Sequence, residues 1–361
     1  MIGSSVVKIN NMIAENFALT TLSDNPEYFE EVLHLIEEEF HYSEGHHYEK
    51  DFAPLMDPHN FENCYLYIDS ETNTVAAHLA VCERILIKEQ AKMNVALIGG
   101  IATHKNYRRQ HLFKSLMDYA LEKHSDAGMF ILWSDLENIY EKFNFFRTGG
   151  LIETGTRNFS SSERPSGYER VKFNTLSEEE FQSIVSIYTN FNQKFFCTLK
   201  REQKDWSIIR EMNSIDLYVK KNVHGQIARY FCVNKGRDLT NIIHEIGALN
   251  TLEYMYLLKD IETYKTWLPE TENYKFKNSD IFYTAFYRLG SAKALNEFFA
   301  AVTGEKLALT AQDDLHVEFD FGMETFTVTK KDFLQYLFGP KPLEDFLPFG
   351  LSLYVAGTDS I

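Results

Sequence analysis

No apolar run in this sequence of 361 residues reaches the roughly twenty residues that a membrane-spanning helix needs. The opening stretch, MIGSSVVKINNMIAENFALTTLSD, holds one early lysine and soon turns polar and acidic, without the apolar centre of a secretory signal. Both absences point to a cytoplasmic protein with no membrane span. The four cysteines, Cys64, Cys82, Cys197 and Cys232, are dispersed and lack the paired spacing of zinc or redox sites, so buried, reduced thiols are expected. Positive charge is scarce: 36 Lys and Arg stand against 52 Asp and Glu, a formal net charge of −16. Neutralising duplex phosphates needs concentrated basic surface, so nucleic acid is excluded as a partner, while cationic molecules such as amines are attracted. A G-x-S-x-G elbow and a P-loop lysine motif are both missing, and HEIGALN at 244–250 lacks the second histidine of H-E-x-x-H. Hydrolase, nucleotide-hydrolysing and zincin readings lose their support. His41, His46, His47 and His59, with Asp51 and Asp57, match no defined ligand spacing, and no metal is expected.

What is present describes a globular protein of two or three domains: 44% hydrophobic, 24% charged and, with 29 phenylalanines, 14% aromatic. Residues 26–40, PEYFEEVLHLIEEEF, place Phe29, Val32, Leu33, Ile36 and Phe40 on one stripe, and Pro26 suits a helix start. Residues 41–63 read as an irregular loop. Strands are expected at 64–68 and 74–82, then a bridge over 83–94, a central strand at 95–103 and a buried strand at 129–133. This alternation predicts an α/β (α+β) fold with a mixed sheet and helices on both faces. A boundary falls near 158–168, NFSSSERPSGY, which is rich in serine, proline and glycine. Beyond it come a capped helix from about 175, hairpin strands at 217–220 and 226–234 around Asn222–Gly225, and a helix in LNTLEYMYLLKDIETYKTWL. From about 289 the pattern is a helix with a glycine stop, two strands around Gly322 and a short helix ending at Gly339-Pro340.

The most informative stretch is 95–117, VALIGGIATHKNYRRQHLFKSLM: an apolar strand containing Gly99 and Gly100, a short basic turn, and an amphipathic helix. Leu112, Phe113, Leu116, Met117 and Ala120 recur at helical spacing. A helix N-terminus with free N–H groups beside Arg108 and Arg109 suits a diphosphate. This strand–turn–helix resembles the Arg-x-x-Gly-x-Gly/Ala acyl-CoA signature of the GNAT N-acetyltransferases, with His111 at the first glycine and Phe113 at the second small position. NIYEKFNFF, at 138–146, is similar to that family's Tyr-x-x-Phe-Gly-Phe segment, with Asn144 replacing glycine, a residue that tolerates left-handed backbone. The resemblance extends in outline to the tandem-GNAT, enhanced-intracellular-survival (Eis-like) branch. It implies a catalytic domain at 1–158, a degenerate GNAT-like domain at 159–288 without a CoA turn, and a C-terminal α+β unit at 289–361, smaller than that branch's sterol-carrier-like third domain.

The same resemblance implies transfer of an acetyl group from acetyl-CoA, as co-substrate, to a primary amine by direct attack, with no metal. Tyr140 would be the general acid to the departing thiolate. The backbone of Ile101, Ala102 and Thr103 would hold pantetheine and the thioester oxygen, and Arg108, Arg109, Gln110, His111, Leu112 and Phe113 would hold the pyrophosphate. The last sixteen residues, FLPFGLSLYVAGTDSI, carry one charged side chain, Asp359, and would be insoluble if exposed, so they are expected to return into the protein body. In the resembling branch the terminal carboxylate is the base, which implies Ile361 here; a tail that merely packs as an edge strand is the alternative. The acceptor is a small-molecule or lysine amine, and that branch forms homo-oligomers. Two other readings are a catalytically silent GNAT-like binding protein, favoured by His111, and a lipid carrier acting through the C-terminal unit.

Overall fold

The computed structural model describes residues 16–42, 45–160, 162, 165–195, 197–269, 279–304, 306–339, 351 and 353–361. They fall into two units, the first running to Glu83 and including Ala96–Ser125 and Ile361, the second holding Arg84–Val95 and Asp126–Ser360.

In the first unit, β1 (Phe17–Thr21) pairs antiparallel with β2 (Cys64–Asp69), and β2 with β3 (Thr74–Lys88). Strand β4 (Ala91–Thr103) follows across the two-residue connection Glu89-Gln90, which with the rest of Arg84–Val95 is counted in the second unit; Glu89 takes the positive φ of 54° that such hairpins demand. Pro26 opens a 3-10 turn that leads into α1 (Phe29–Glu39), which buries Val32, Leu33, Leu35 and Ile36. Phe40, expected on that stripe, is exposed. A Glu31 oxygen accepts the Val75 N–H at 2.8 Å and fixes α1 to the start of β3. Helix α2 (Leu112–Lys123) buries Leu112, Leu116, Met117 and Ala120, as its spacing predicts, while Phe113, expected on the same face, is only half-buried.

Two expectations for this region are corrected. The stretch 41–63 holds helical turns at Tyr48–Asp51 and Ala53–Met56 and a 3-10 segment at Pro58–Asn63. Pro54 and Pro58 sit at first-turn positions, where their fixed φ suits a helix and no N–H is missed. Residues 83–94 are not a bridge but the ends of β3 and β4. Arg84 is a charge within an apolar run, yet it is buried inside the strand.

The second unit is built on a mixed sheet. Its strands in chain order are β5 (Met129–Leu132), β6 (Phe146–Thr154), β7 (Glu169–Val171), β8 (Cys197–Lys200), β9 (Asp216–Lys221), β10 (Ile227–Val233), β11 (Ile243–Ala248), β12 (Thr266–Pro269) and β13 (Ser279–Leu289). The spatial order β5-β13-β6-β12-β11-β10-β9-β7 is antiparallel in the registered pairs except for β11 with β12. Helices α3 (Glu178–Phe195), α4 (Gln203–Glu211) and α5 (Thr251–Ile261) belong to this unit, as do α6 (Ala292–Thr303) and α7 (Lys330–Phe338). Between the last two lies a three-stranded sheet of β14 (Leu307–Gln312), β15 (His316–Phe321) and β16 (Glu324–Thr329). Phe159 centres an aromatic core, 5.0 Å from the Tyr218 ring, 5.6 Å from Phe231 and 4.8 Å from Tyr264. All four cysteines are buried and free. Among the described residues no helix is long and apolar enough to cross a membrane.

The tail does turn inward. Strand β17 (Leu353–Tyr354) pairs parallel with β8, and Tyr354 and Ala356 join the aromatic core. Residues 346–350 and 352 lie outside the described residues.

Candidate active site

The basic turn between β4 and α2 is exposed from Arg108 to His111. Arg109 has φ +66° and His111 φ +62°, both left-handed. That conformation explains why the resembling signature places glycine at the position of His111: a β-carbon costs about 1–2 kcal/mol there. His111 forms no side-chain cap to the helix and gains nothing visible in return. His111→Gly is therefore expected to raise stability by about 1 kcal/mol, read as a higher unfolding midpoint; a lower midpoint would show that the imidazole stabilises the turn.

Acidic residues of α1 occupy the cations of this turn. Arg108 Nη2 donates to both Glu39 oxygens, at 2.6 and 2.5 Å, and its Nε donates to the Thr103 carbonyl at 3.4 Å. Lys105 donates to Glu38 at 2.9 Å, and this bond and charge hold the Glu38 carboxyl below its usual pKa. Exposed pairs of this kind are weak, about 0–1 kcal/mol, so a diphosphate can displace them.

Further back along β4, Gly100 takes φ +59°, and its backbone is held by side chains rather than by a plain ladder. Its carbonyl accepts from His78 Nδ1 at 2.7 Å, which fixes the neutral tautomer with the lone pair on Nε2. His78 is fully buried, Nε2 has no partner among the described residues, and burial pushes the imidazole pKa down to about 4. The Tyr48 hydroxyl also bonds to the Gly100 backbone, while burial raises its pKa. Beside it, a β-carbon on Gly99 would lie 2.9 Å from Leu55 Cδ2 and 3.4 Å from the carboxyl carbon of Ile361. The end of the chain thus lies against β4, two residues before Ile101.

Within the second unit, the residues preceding Ile361 are held by buried charge. Asp359 is fully buried and accepts from Arg84 Nη2 at 3.0 Å, from Arg201 Nε and Nη2 at 2.9–3.1 Å, and from the Tyr188 hydroxyl at 3.2 Å. Arg201 reaches on to Glu245 at 2.6 and 3.0 Å, and Tyr230 donates to that carboxylate at 2.9 Å. The Arg201 guanidinium also lies 3.8 Å from the Tyr188 ring centre, a cation–π contact in a dry setting. Burial alone would raise the Asp359 pKa; the attraction of Arg201 and Arg84 outweighs it and leaves the carboxyl below its usual value. Buried Lys235 donates to the carbonyls of Gly357 (2.9 Å), Thr358 (3.2 Å) and Ser360. Gly357 packs so closely on the His244 ring that a β-carbon would sit 2.5 Å from Nδ1.

Tyr140 ends the single turn Glu137–Tyr140 of the second unit, buried, with its ring 5.9 Å from that of Phe286. Burial raises its hydroxyl pKa against a smaller lowering from a Ser134 hydrogen bond, so it stays protonated at neutral pH. Asn144 adopts φ +60°, the conformation its place in the aromatic segment calls for. Among the described residues no cluster of His, Cys, Asp and Glu has metal-ligand geometry. Sequence reasoning missed Arg84, Arg201, Lys235 and Glu245. The available signal was Asp359 itself, since a lone charge in an apolar segment needs a buried partner.

Residues 23–147 match the acetyltransferase (GNAT) domain family. The matched GNAT region contains α1, β4, the basic turn and Tyr140. No curated protein matches this chain in sequence. Solved structures share its fold. A conserved Enterococcus faecalis protein described as a probable N-acyltransferase is 12% identical, with a TM-score of 0.57, over 87% of this chain and 85% of that one. A GCN5-related N-acetyltransferase from Anabaena variabilis is 16% identical with a TM-score of 0.52, over 87% and 85%. Saccharomyces cerevisiae N-myristoyltransferase with bound myristoyl-CoA is 11% identical with a TM-score of 0.52, over 76% and 83%. The mixed α/β architecture around the GNAT region is therefore one that these acyltransferases also have.

Proposed function

We propose that this protein is an N-acyltransferase that moves an acetyl group from acetyl-CoA to a primary amine, as the tandem Eis-like branch does. One observation carries the reading: the terminal carboxylate of Ile361 packs at Gly99, on the strand that leads directly into the exposed Arg108–His111 turn. Acyl-CoA would lie with its pyrophosphate at Arg108–Phe113 and its thioester along Ile101–Thr103.

The amine nitrogen attacks the thioester carbonyl, a C–N bond forms and the C–S bond breaks. Ile361 takes the proton from the amine, directly or through water, and Tyr140 gives its hydroxyl proton to the leaving thiolate. A free α-carboxylate is a weak base, with an ordinary pKa of about 3.5, so the role requires burial or a proton relay to make it effective. We assign catalysis to 1–158 and read 159–288 and 289–361 as accessory parts. The acidic surface favours a cationic acceptor: a polyamine, an aminoglycoside or a lysine side chain.

A chain lengthened by one glycine after Ile361 tests the base. The added residue shifts the carboxylate by about 3.8 Å while leaving Asp359 and its partners intact. Turnover is expected to fall at least 100-fold with acetyl-CoA affinity unchanged. Full turnover in the lengthened chain removes Ile361 from the chemistry.

A further inference from the structure

We propose that Lys235 is a positioning residue: its ammonium clasps the backbone of the last turn and fixes where the terminal carboxylate of Ile361 stands. The proposal rests on the acyltransferase reading for its catalytic consequence, but not for the clasp itself.

The geometry is specific. The last turn, Gly357–Asp359, is a single 3-10 turn, too short to hold itself in water. Its carbonyls point toward one end, where negative partial charge collects. The Lys235 ammonium sits at that end, donating to the carbonyls of Gly357, Thr358 and Ser360 and, at 3.3 Å, to the Ser360 hydroxyl. Lysine offers three N–H donors, and the last turn presents them with three carbonyls and a hydroxyl. Lys235 is 1% exposed, and a cation taken that far from water needs such acceptors. Ser360 itself closes the turn, its hydroxyl donating to the Gly357 carbonyl at 2.7 Å and its N–H reaching the same carbonyl at 3.2 Å.

Asp359 and Lys235 do different work. The carboxylate of Asp359, gripped by Arg84 and Arg201, prevents the tail from leaving. That grip acts through a side chain and does not reach the Ser360 carbonyl beyond it. Lys235 binds the backbone on both sides of Asp359, including the carbonyl of the last peptide bond. One bond after that carbonyl comes Ile361, so its carboxylate can swing only about the torsions of a single residue. Catalytic groups need placement to well under an ångström, and loose placement costs turnover without loss of substrate binding.

The test uses the full chain with Lys235→Met, which keeps the stem and removes the charge, and Lys235→Arg, which restores it. A broad-specificity serine carboxypeptidase reads the clasp without reference to activity. Wild type should release Ile361 slowly, Lys235→Met at least 10-fold faster, and Lys235→Arg at an intermediate rate. With acetyl-CoA and an amine acceptor, Lys235→Met should lose at least 10-fold in kcat with KM for acetyl-CoA unchanged, partly rescued in Lys235→Arg. Equal release from wild type and a folded Lys235→Met overturns the clasp. Faster release with unchanged kcat overturns the positioning role. If Lys235→Met does not fold, Lys235→Arg and Ser360→Ala carry the same two readouts. A wild type that binds no acetyl-CoA defeats the acyltransferase reading and the positioning role with it, while the release rates still decide the clasp.

Discussion

Asp359→Asn is expected to lower stability by about 3–5 kcal/mol, because it leaves Arg84 and Arg201 buried and short of one negative charge. The substitution keeps the shape of the side chain, so packing is preserved and the loss is electrostatic. Glu245 remains beside Arg201 at 2.6 Å, while Arg84 keeps the looser approach of Asp205 at 3.8 Å and a neutral acceptor, the Lys200 carbonyl, at 3.3 Å. Denaturant unfolding at neutral pH measures the difference directly. A loss below about 1 kcal/mol would mean that the arginines find compensation elsewhere in the second unit. The same geometry shows why deleting Asp359–Ile361 is a poor probe of catalysis: it removes the anchor with the carboxylate, so loss of turnover would follow from unfolding alone.

Acidification from pH 7 to pH 4 is the second large effect. His78 in the first unit and His244 in the second are both buried, and burial pushes each imidazole from its ordinary 6.5 down to about 4. An unfolded histidine takes up its proton near pH 6.5, while the folded one does so only near pH 4. Between those values the unfolded chain binds more protons, so stability falls as pH falls. Each histidine contributes about 3 kcal/mol at neutral pH that is gone by pH 4. Asp359 acts in the same direction lower down: its folded pKa is depressed, so its contribution is present above the unfolded value near 3.9 and is lost as pH drops through the folded one. Unfolding free energies at pH 7, 5.5 and 4.5 should decline steeply. His244→Gln should flatten that decline; an unchanged slope in this variant would remove His244 as a cause.

Much of the fold could be read from the sequence wherever periodicity and capping agree. Helix α2 buries Leu112, Leu116, Met117 and Ala120, and the hairpin of β9 and β10 turns at Asn222–Gly225, with β9 one residue longer and β10 one residue shorter at each end than expected. The glycine stop of α6 is left-handed Gly304, as its position demands. The reading faltered where charge is buried. Arg84 and Arg201 look like surface residues until their partners are known, and those partners lie 275 and 158 positions away. Local pattern carries no information on such pairs. Gly100 shows a related limit: two adjacent glycines announce a special backbone, but nothing local says that His78 and Tyr48 hold it. The basic turn was legible because one contiguous stretch supplies strand, cations and helix start. The Arg108–Glu39 pair was not, since its acid belongs to a different helix.

Calorimetric titration of the purified chain with acetyl-CoA, with CoA for comparison, tests the central claim most directly. Micromolar binding of acetyl-CoA is expected, because the left-handed His111 leaves the turn exposed and the Glu39 pair is weak enough to yield. Absence of binding in folded protein would contradict the acyltransferase reading and leave a GNAT-type scaffold that serves another ligand.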